Sequence, residues 1–453
     1  MYSDQISREL KKSKVEIGDK IRVEIKKGIC EGLLMPRIEL GDTNCIVLKL
    51  DNGYNIGINF GEIKTIKLLE RKNEAAVNKE KKKEKKEERE EKEKARKETK
   101  NDIVILGCGG TIASKIEYRT GAVYPAITPE ELIASFPELK NKNLRSKLLF
   151  QLFSEDMAPT HWQLIADEVG KEIKKGCKGV VLTHGTDTMH YTSAALSFML
   201  KTPVPVVLVG AQRSSDRGSS DNWMNLNSAV LAAESDIAEV SVCMHGSTND
   251  DFCYLNPGTK CRKLHTSRRD AFKTVGRKPI ARIWPEKNWV EILSNDYKRR
   301  NSMNLEVDTK IDPNVALIYT YPGIKPKFIE KLADFYNGVV IAGTGLGHVP
   351  TNPFNDPKRN SILPAIKSLI ERDIPVVIAP QTIFGRINMN IYACGRALLE
   401  TGVIGNYCDW LPEVALVKLM HVLGHEKSLE KIKEKMLTNV AGEITERTEI
   451  SEF

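Results

Sequence analysis

Three kinds of motif are missing from this 453-residue chain, and each absence excludes a class of protein. Its nine cysteines, Cys30, Cys45, Cys108, Cys177, Cys243, Cys253, Cys261, Cys394 and Cys408, form no CxxC pair. Zinc ribbons and thioredoxin-type redox motifs are therefore excluded. An odd, scattered set of thiols predicts a reducing compartment. No apolar run approaches the length of a membrane span, and the N-terminal MYSDQISRELKKS lacks the apolar core of a signal peptide. A soluble cytoplasmic protein with no membrane partner is expected. A GxxxxGK[ST] phosphate loop is also absent. The glycine run Gly343-Thr344-Gly345-Leu346-Gly347-His348 leads into Val349-Pro350 rather than a helix, so it reads as a tight turn at a strand end. Nothing in the chain looks able to activate a carboxylate with ATP.

With 41% hydrophobic residues spread over most of its length, the chain can bury large cores. A net charge of +8 suggests a nucleic-acid surface until its location is considered. Residues 71–100 alone hold 14 Lys/Arg and nine Glu, leaving only +3 for the other 423 residues. That segment has almost no core-forming side chain, and its Glu/Lys pairs at three- and four-residue spacing suit a solvated helix or frayed linker. Interleaved Glu blunts the field that a nucleic-acid-binding arm would need.

The charged run separates two unlike regions. Residues 15–69 alternate apolar and polar in short runs (Lys20–Glu24, Gly32–Leu34, Cys45–Leu50, Tyr54–Ile58, Ile63–Leu68), joined by turn signals such as Asp51-Asn52-Gly53. The pattern predicts a small antiparallel β-barrel over 1–70, with no titratable cluster inside it, as in a docking module. From Ile103 the pattern becomes strand, loop, helix. Strands are expected at Ile103–Cys108, Gly179–Thr183, Val204–Val209 and Glu239–Met244. Helices are expected from Thr128, from Thr160 to Lys175, from about Thr188, and near Asn222–Ala233. Fully apolar strands alternating with amphipathic helices define an α/β body with a parallel sheet covered on both faces. Residues 284–312 look polar and irregular, a boundary that divides the body into domains at 101–305 and 306–435. The second, smaller α/β domain is expected to use Ala316–Tyr319, Lys327–Phe335, Gly338–Ala342, Ile362–Arg372, Pro375–Ala379, Asn390–Glu400 and Leu411–Leu423. A loose charged tail over 436–453 follows.

In open parallel sheets ligands bind outside the carboxyl ends of the strands. Two strands here end in hydroxyl-bearing loops. IVILGCGGTIA places Thr111 after Gly109-Gly110, and VVLTHGTDT places Thr186 and Asp187 at the next strand end. Paired glycines let backbone approach a ligand and free N–H groups to face a developing anion. Helix N-capping is the plainer reading of each motif alone. Together they suggest acyl transfer, since a threonine hydroxyl needs a base or cationic relay to become a nucleophile. Composition does not say which lysine completes such a relay.

GCGGTIA and LTHGTDTM resemble the two signature motifs of the bacterial-type L-asparaginase/glutaminase family. The likeness continues, in family order across 103–425, through Tyr118–Val123, Ser154-Glu155-Asp156-Met157, GAQRSSDRGSSD (210–221), RKLHTSRRDAF (262–272), GTGLGHVP (343–350) and INMNIYACGRALLETGVI (387–404). The resemblance implies that Thr111 is the nucleophile, and that Thr186 and Asp187 form the activating relay with Lys263, the lysine of RKLHT. It also implies that Tyr118 lies on a mobile loop over the substrate, and that Ser154, Glu155 and Asp187 grip the amino-acid head. The added barrel, the linker and KLDNGYNIGI (49–58) are similar to the D-subunit family of the archaeal glutamyl-tRNA(Gln) amidotransferases. That likeness implies a glutaminase or asparaginase component of a ligase forming carbon–nitrogen bonds. No cofactor would be bound by this chain. A second, kinase/transamidase subunit would carry ATP and Mg and receive the ammonia. Glutamate-charged tRNA(Gln) would bind mainly through that partner, and a homodimer core would sit within a heterotetramer.

Two other readings stand beside it: a free-standing asparaginase with a regulatory barrel, and an RNA-binding protein that uses barrel and linker as its contact. His421 and His425 share a helix face at i, i+4 spacing, but no Glu follows the first His as in HExxH, so no metal site is assigned. Arg268 and Arg269 near Lys263 read as partners of acids rather than as contacts for tRNA.

Overall fold

The computed structural model describes residues 2–26, 28–35, 44–50, 55–71, 102–116, 123–125, 128–134, 136–214, 220–352, 354–356 and 360–448. Most of the charged run, residues 72–100, lies outside the described residues. Helix α1 (Asp4–Lys12) opens the chain, an element the polar N-terminal sequence did not suggest. Ser3 caps it by accepting from the Ile6 N–H, Asp4 lies in its first turn, and Lys11 and Lys12 lie in its last. Those charges match the helix dipole. Strands β1 (Lys20–Ile25), β2 (Gly28–Leu34), β3 (Cys45–Lys49), β4 (Asn55–Asn59) and β5 (Ile63–Glu70) form an antiparallel sheet in the order β4-β3-β2-β1-β5. Val23, Leu34, Leu48, Ile58 and Ile66, one from each strand, share a core with Ile6 and Leu10 of α1. The helix thus plugs the sheet expected from the alternation. No β4–β5 pairing closes it into a full barrel among the described residues.

The body begins with β6 (Ile103–Gly109), a hairpin of β7 (Ser114–Ile116) and β8 (Val123–Pro125), α2 (Pro129–Ala134) and β9 (Leu144–Leu152). The expected capping box at α2 is present: the Thr128 hydroxyl accepts from Glu131 N–H and the Glu131 carboxylate from Thr128 N–H, each at 3.2 Å. Next come α3 (Pro159–Lys174), β10 (Gly179–Thr183), α4 (Met189–Met199), β11 (Leu200–Lys201), β12 (Val206–Val209), α5 (Asn222–Glu234) and β13 (Val240–His245). Helix α3 starts one residue before Thr160, and it is His161 Nδ1 that accepts from the Ala158 N–H. The domain then turns antiparallel with β14 (Cys253–Pro257), the pair β15 (Cys261–Lys263) and β16 (Phe272–Thr274), β17 (Ala281–Trp284), β18 (Trp289–Ile292) and β19 (Glu306–Val307).

Eight strands make one sheet in the order β18-β17-β14-β13-β12-β10-β6-β9. Strands β9, β6, β10, β12 and β13 are parallel, as their apolar sequences suggest. The remaining three run antiparallel, because the short connection from β13 to β14 permits only a hairpin. The polar stretch after Trp284 is therefore not irregular throughout: β18 is an edge strand paired with β17, and β19 pairs with β11. Alternation along the buried strands sends residues to two cores. Val104, Leu106, Val180 and Leu182 meet α3 and α4, while Ile103, Ile105 and Val181 meet α2 and α5.

The smaller domain holds β20 (Val315–Tyr319), α6 (Pro326–Lys331), β21 (Gly338–Gly343), α7 (Leu363–Glu371), β22 (Val376–Pro380), α8 (Ala393–Leu399), α9 (Pro412–His425) and α10 (Leu429–Leu437). Its three strands are parallel, and the glycine run after β21 is the expected tight turn, with Thr344 N–H donating to His348 O at 2.9 Å. Helix α9 is apolar nearly all round and is shared by both domains: its side chains pack in one core with α4, Val340 and Val377. No described helix is long and apolar enough to cross a membrane.

The C-terminal segment departs from the loose tail suggested by its charge. Lys418 on α9 and Glu443 are both buried and paired at 2.5 Å. The ammonium also donates to Met436 O and Thr438 O at 2.6 Å, and the carboxylate accepts from Ala441 N–H at 2.7 Å. Every donor in this knot is used, which is the condition for a buried pair to be tolerated. Lys418→Met alone leaves a buried unpaired carboxylate and should cost about 3–5 kcal/mol. Urea denaturation should find the Lys418→Met/Glu443→Leu double variant less damaged than that single variant.

Candidate active site

The chain runs from β6 outward to β9, then returns across β6 to β10 and continues to β12. This order reverses between β6 and β10, the switch point at whose carboxyl ends open α/β sheets place their ligand crevice. Thr111 opens a 3₁₀ turn (Thr111–Ala113) directly after β6, and Thr186 and Asp187 follow β10. Ser154 and Glu155 begin a third turn, directly after β9. The three loops are in backbone contact. A Cβ on Gly110 (φ 83°) would lie 2.3 Å from Gly185 N, and one on Gly185 would lie 2.6 Å from Ser154 Cβ. Only glycine permits both approaches. The first loop is also tied from below: the Asn222 amide donates to Ile112 O at 3.0 Å, and Ser114 Oγ donates to Gly110 O at 2.6 Å.

Lys263 reaches this crevice from β15. Its Nζ donates to Thr186 Oγ1 at 2.8 Å and to Asp187 Oδ1 at 2.7 Å. Thr186 is 5% exposed, and the Lys263 side chain only 9%, whereas that of Asp187 is 67% exposed. The ammonium therefore bridges a buried hydroxyl and a carboxylate at the mouth. Ser154 is buried, its carbonyl accepting from Thr188 Oγ1 at 2.6 Å, and Glu155 is exposed beside it. The structure thus brings Thr111, Ser154, Glu155, Thr186, Asp187 and Lys263 to one end of the sheet. Tyr118 lies outside the described residues.

Three supports went unrecognised in the sequence. The first is His184, enclosed behind the second loop. It contacts Gly185 O through Nδ1 at 2.7 Å and Thr192 Oγ1 through Nε2 at 2.9 Å, and Thr192 accepts from the Trp162 indole at 3.1 Å. One neutral tautomer satisfies the whole chain: Nδ1–H donates to the carbonyl and Nε2 accepts from the threonine hydroxyl. Burial pushes this imidazole down to about 4. The second is the grip of the smaller domain on the Lys263 strand. Arg262 pairs with Glu413 at 3.0 Å and donates to Tyr319 OH at 3.3 Å, while buried Lys260 pairs with Asp409 at 3.0 Å. The third is Asp221, fully buried, which accepts from the Gln212 and Arg213 N–H groups and the Asn225 amide. His184 and Arg262 fall inside THGTDT and RKLHT, so their position was a signal. Glu413 and Asp409 lie some 150 residues away, and nothing local marks them. Arg268 and Arg269 pair with Asp270 and Asp250, as the plainer reading has it. The bidentate Arg268 contact holds the Asp270 carboxyl down to about 2.

Fold and site together define an asparaginase-type protein carrying an extra N-terminal sheet domain. Residues 102–298 match the family model described as Asparaginase, N-terminal, and residues 314–436 match the Glutaminase/Asparaginase C-terminal domain. Among solved structures, the thermostable L-asparaginase from Thermococcus kodakarensis superposes with a TM-score of 0.68 at 30% identity, covering 76% of this chain and 100% of that one. L-asparaginase I from Vibrio cholerae gives 0.64 at 31% identity, covering 77% and 100%. Residues 15–69 match the GatD N-terminal domain. The D-subunit of glutamyl-tRNA(Gln) amidotransferase from Pyrococcus horikoshii shares 49% identity, over 98% of both chains. The Methanothermobacter thermautotrophicus protein of the same name shares 44%, over 100% of this chain and 99% of its own. The chain belongs to this GatD family, the D-subunits of the glutamyl-tRNA(Gln) amidotransferases.

Two outcomes follow from this geometry. Gly185→Ala drives a methyl into Ser154 and should lower amide hydrolysis by about a hundredfold, the scale of a 1 Å misplacement, with the far-ultraviolet circular dichroism unchanged. His184 stays neutral in the folded chain down to about pH 4, whereas the unfolded chain binds its proton near 6.5. Unfolding therefore takes up a proton between those values, and stability falls as pH drops through that window. Melting temperatures measured from pH 7 to 4 should decline, and the decline should be shallower for His184→Gln.

Proposed function

We propose that this chain is the amidohydrolase component of a glutamyl-tRNA(Gln) amidotransferase, releasing ammonia from glutamine or asparagine to convert Glu-tRNA(Gln) to Gln-tRNA(Gln). The observation that carries the reading is Lys263 Nζ, within hydrogen-bond reach of both Thr186 and Asp187 at the carboxyl ends of β6 and β10. Thr111 Oγ attacks the side-chain amide carbon as its proton passes to Thr186 Oγ1, whose own proton moves to Lys263 Nζ, the lysine being the neutral amine at that step. Backbone N–H groups of the glycine-lined loops stabilise the oxyanion. The C–N bond breaks as the relay returns the proton to the leaving ammonia, and water then resolves the acyl-enzyme. Asp187 orients the lysine through one oxygen and, with Ser154 and Glu155, offers acceptors to the α-ammonium of the substrate. Tyr118 belongs to the loop that closes over the substrate.

The wider assembly follows the family. A second subunit, which acts as kinase and transamidase, supplies ATP and Mg chemistry, engages the glutamate-charged tRNA(Gln), and receives the ammonia. Two copies of this chain form the core of a cytoplasmic heterotetramer, the N-terminal sheet domain (1–70) serves in docking, and residues 71–100 link it to a body of two domains, 101–305 and 306–435.

Thr111→Ala, Thr186→Ala and Lys263→Ala should each lower glutamine-driven amidation by at least about a thousandfold, the scale of losing one member of a nucleophile relay. The assembled complex should keep its rate with ammonium chloride. A Thr111→Ala enzyme that still hydrolyses glutamine would remove the nucleophile assignment. Full turnover by the isolated chain, indifferent to tRNA and partner, would favour a free-standing asparaginase.

A further inference from the structure

The end of α9 opposite the active site carries a second constellation. His421 and His425 stand one turn apart on the helix, and Asp308, from the segment that crosses between the two domains, meets them. One donor atom from each residue lies within 4.8 Å of the others. Asp308 Oδ2 is 3.0 Å from His425 Nε2 and 3.9 Å from His421 Nε2. For zinc bonds of about 2.0–2.1 Å, a tetrahedral site separates its donors by about 3.3 Å. The two measured separations straddle that value.

An ordinary His–Asp pair accounts for His425 but not for His421. The second ring turns its Nε2 toward an oxygen beyond hydrogen-bond range, while its Nδ1 is buried without a partner. The ring is held there by Phe198, stacked at 6.3 Å. Asp308 is fixed in turn: its N–H donates to Met199 O at 2.8 Å, and its Oδ1 accepts from Lys310 N–H, which directs Oδ2 at the two imidazoles. Strand β19 pins the same segment to β11 just before it. Two imidazoles and a carboxylate form a donor set suited to zinc and its transition-metal neighbours rather than to calcium or magnesium. Asp308 is about half-exposed and the His425 side chain 28% exposed, which provides an entry path.

We propose that Asp308, His421 and His425 bind one divalent ion of the zinc class, with water completing its shell, as a clamp between the interdomain segment and α9. Glu413, which holds Arg262 beside Lys263, lies eight residues before His421, about 12 Å along the helix axis. The ion thus secures the far end of the helix whose near end grips the catalytic strand, and it touches no reacting atom.

The full chain, freed of metal by chelator dialysis, is titrated with Zn²⁺ by calorimetry and, separately, with Co²⁺ by absorption spectroscopy. The expected result is saturable binding of one equivalent and visible Co²⁺ bands of nitrogen and oxygen ligation, without thiolate charge transfer. A Zn²⁺-dependent rise in melting temperature accompanies it. His421→Gln and His425→Gln should weaken binding at least about a hundredfold and Asp308→Asn at least about tenfold. Retained amide hydrolysis shows that these variants fold. Absence of saturable binding, thiolate bands in the wild-type spectrum, or unchanged affinity in the folded variants would each overturn the proposal and leave His425 and Asp308 as an ion pair alone. The wild-type spectrum decides the matter even if a variant fails to fold.

Discussion

Three loops meet at Gly110, Gly185 and Ser154, so closely that neither glycine could carry a side chain, and the rest of the site is arranged around that contact. It sets where Thr111 stands relative to Thr186, because neither loop can shift without moving the other. Short separations of this kind leave little configurational freedom to be lost when a substrate enters. The supports are correspondingly stiff: a parallel sheet buried on both faces beneath, the His184–Thr192–Trp162 chain behind, and Asp221 holding the Gln212 and Arg213 amides at the side. Each of these buried polar groups has its partners within the protein, which is what allows charge and hydroxyl chemistry to be kept in so dry a place.

Lys263 is supplied differently. It reaches the loops from a short antiparallel pair outside the main sheet, and that pair is held by side chains of the smaller domain. Glu413 and Asp409 sit at the start of α9 and just before it, so the placement of the relay lysine depends on how that helix is seated between two cores. The larger domain presents the hydroxyls, and the smaller one positions the cation that serves them. A division of this kind makes the placement of Lys263 sensitive to the domain junction.

How much of this was legible depended on the range of the interaction. Apolar runs such as Ile103–Cys108 and Gly179–Thr183 became strands at nearly the written boundaries, because burial on both faces leaves a local, unambiguous signature. The hydroxyl loops were legible because strand, glycine and threonine follow one another within a few residues. The antiparallel edge from β14 to β18 was not, since its strands are short, partly polar and shaped by hairpin geometry rather than by composition. Helix α1 was missed for a related reason: only Ile6 and Leu10 face the core, too few apolar residues to register in so charged a segment. Glu443 was misread outright. Its charge suggested solvent, and its partner Lys418 lies 25 residues away on a helix whose middle is otherwise apolar.

That buried pair also bears on the order in which the protein can be completed during synthesis. Helix α9 is common to both cores, yet its lysine has no counter-charge until residue 443 has been made, and Asp409 accepts from Thr445 N–H only two residues later. A chain that reaches only as far as α10 therefore holds nearly all the apolar surface of the body but lacks the counter-charge of Lys418. The seating of that helix, and with it of Lys263, thus draws on contacts made by residues 443 and 445, beyond the last described helix. The loops of the candidate site are among the first parts of the body to be made, whereas the side chains that hold its lysine in place are secured from the far end of the described chain.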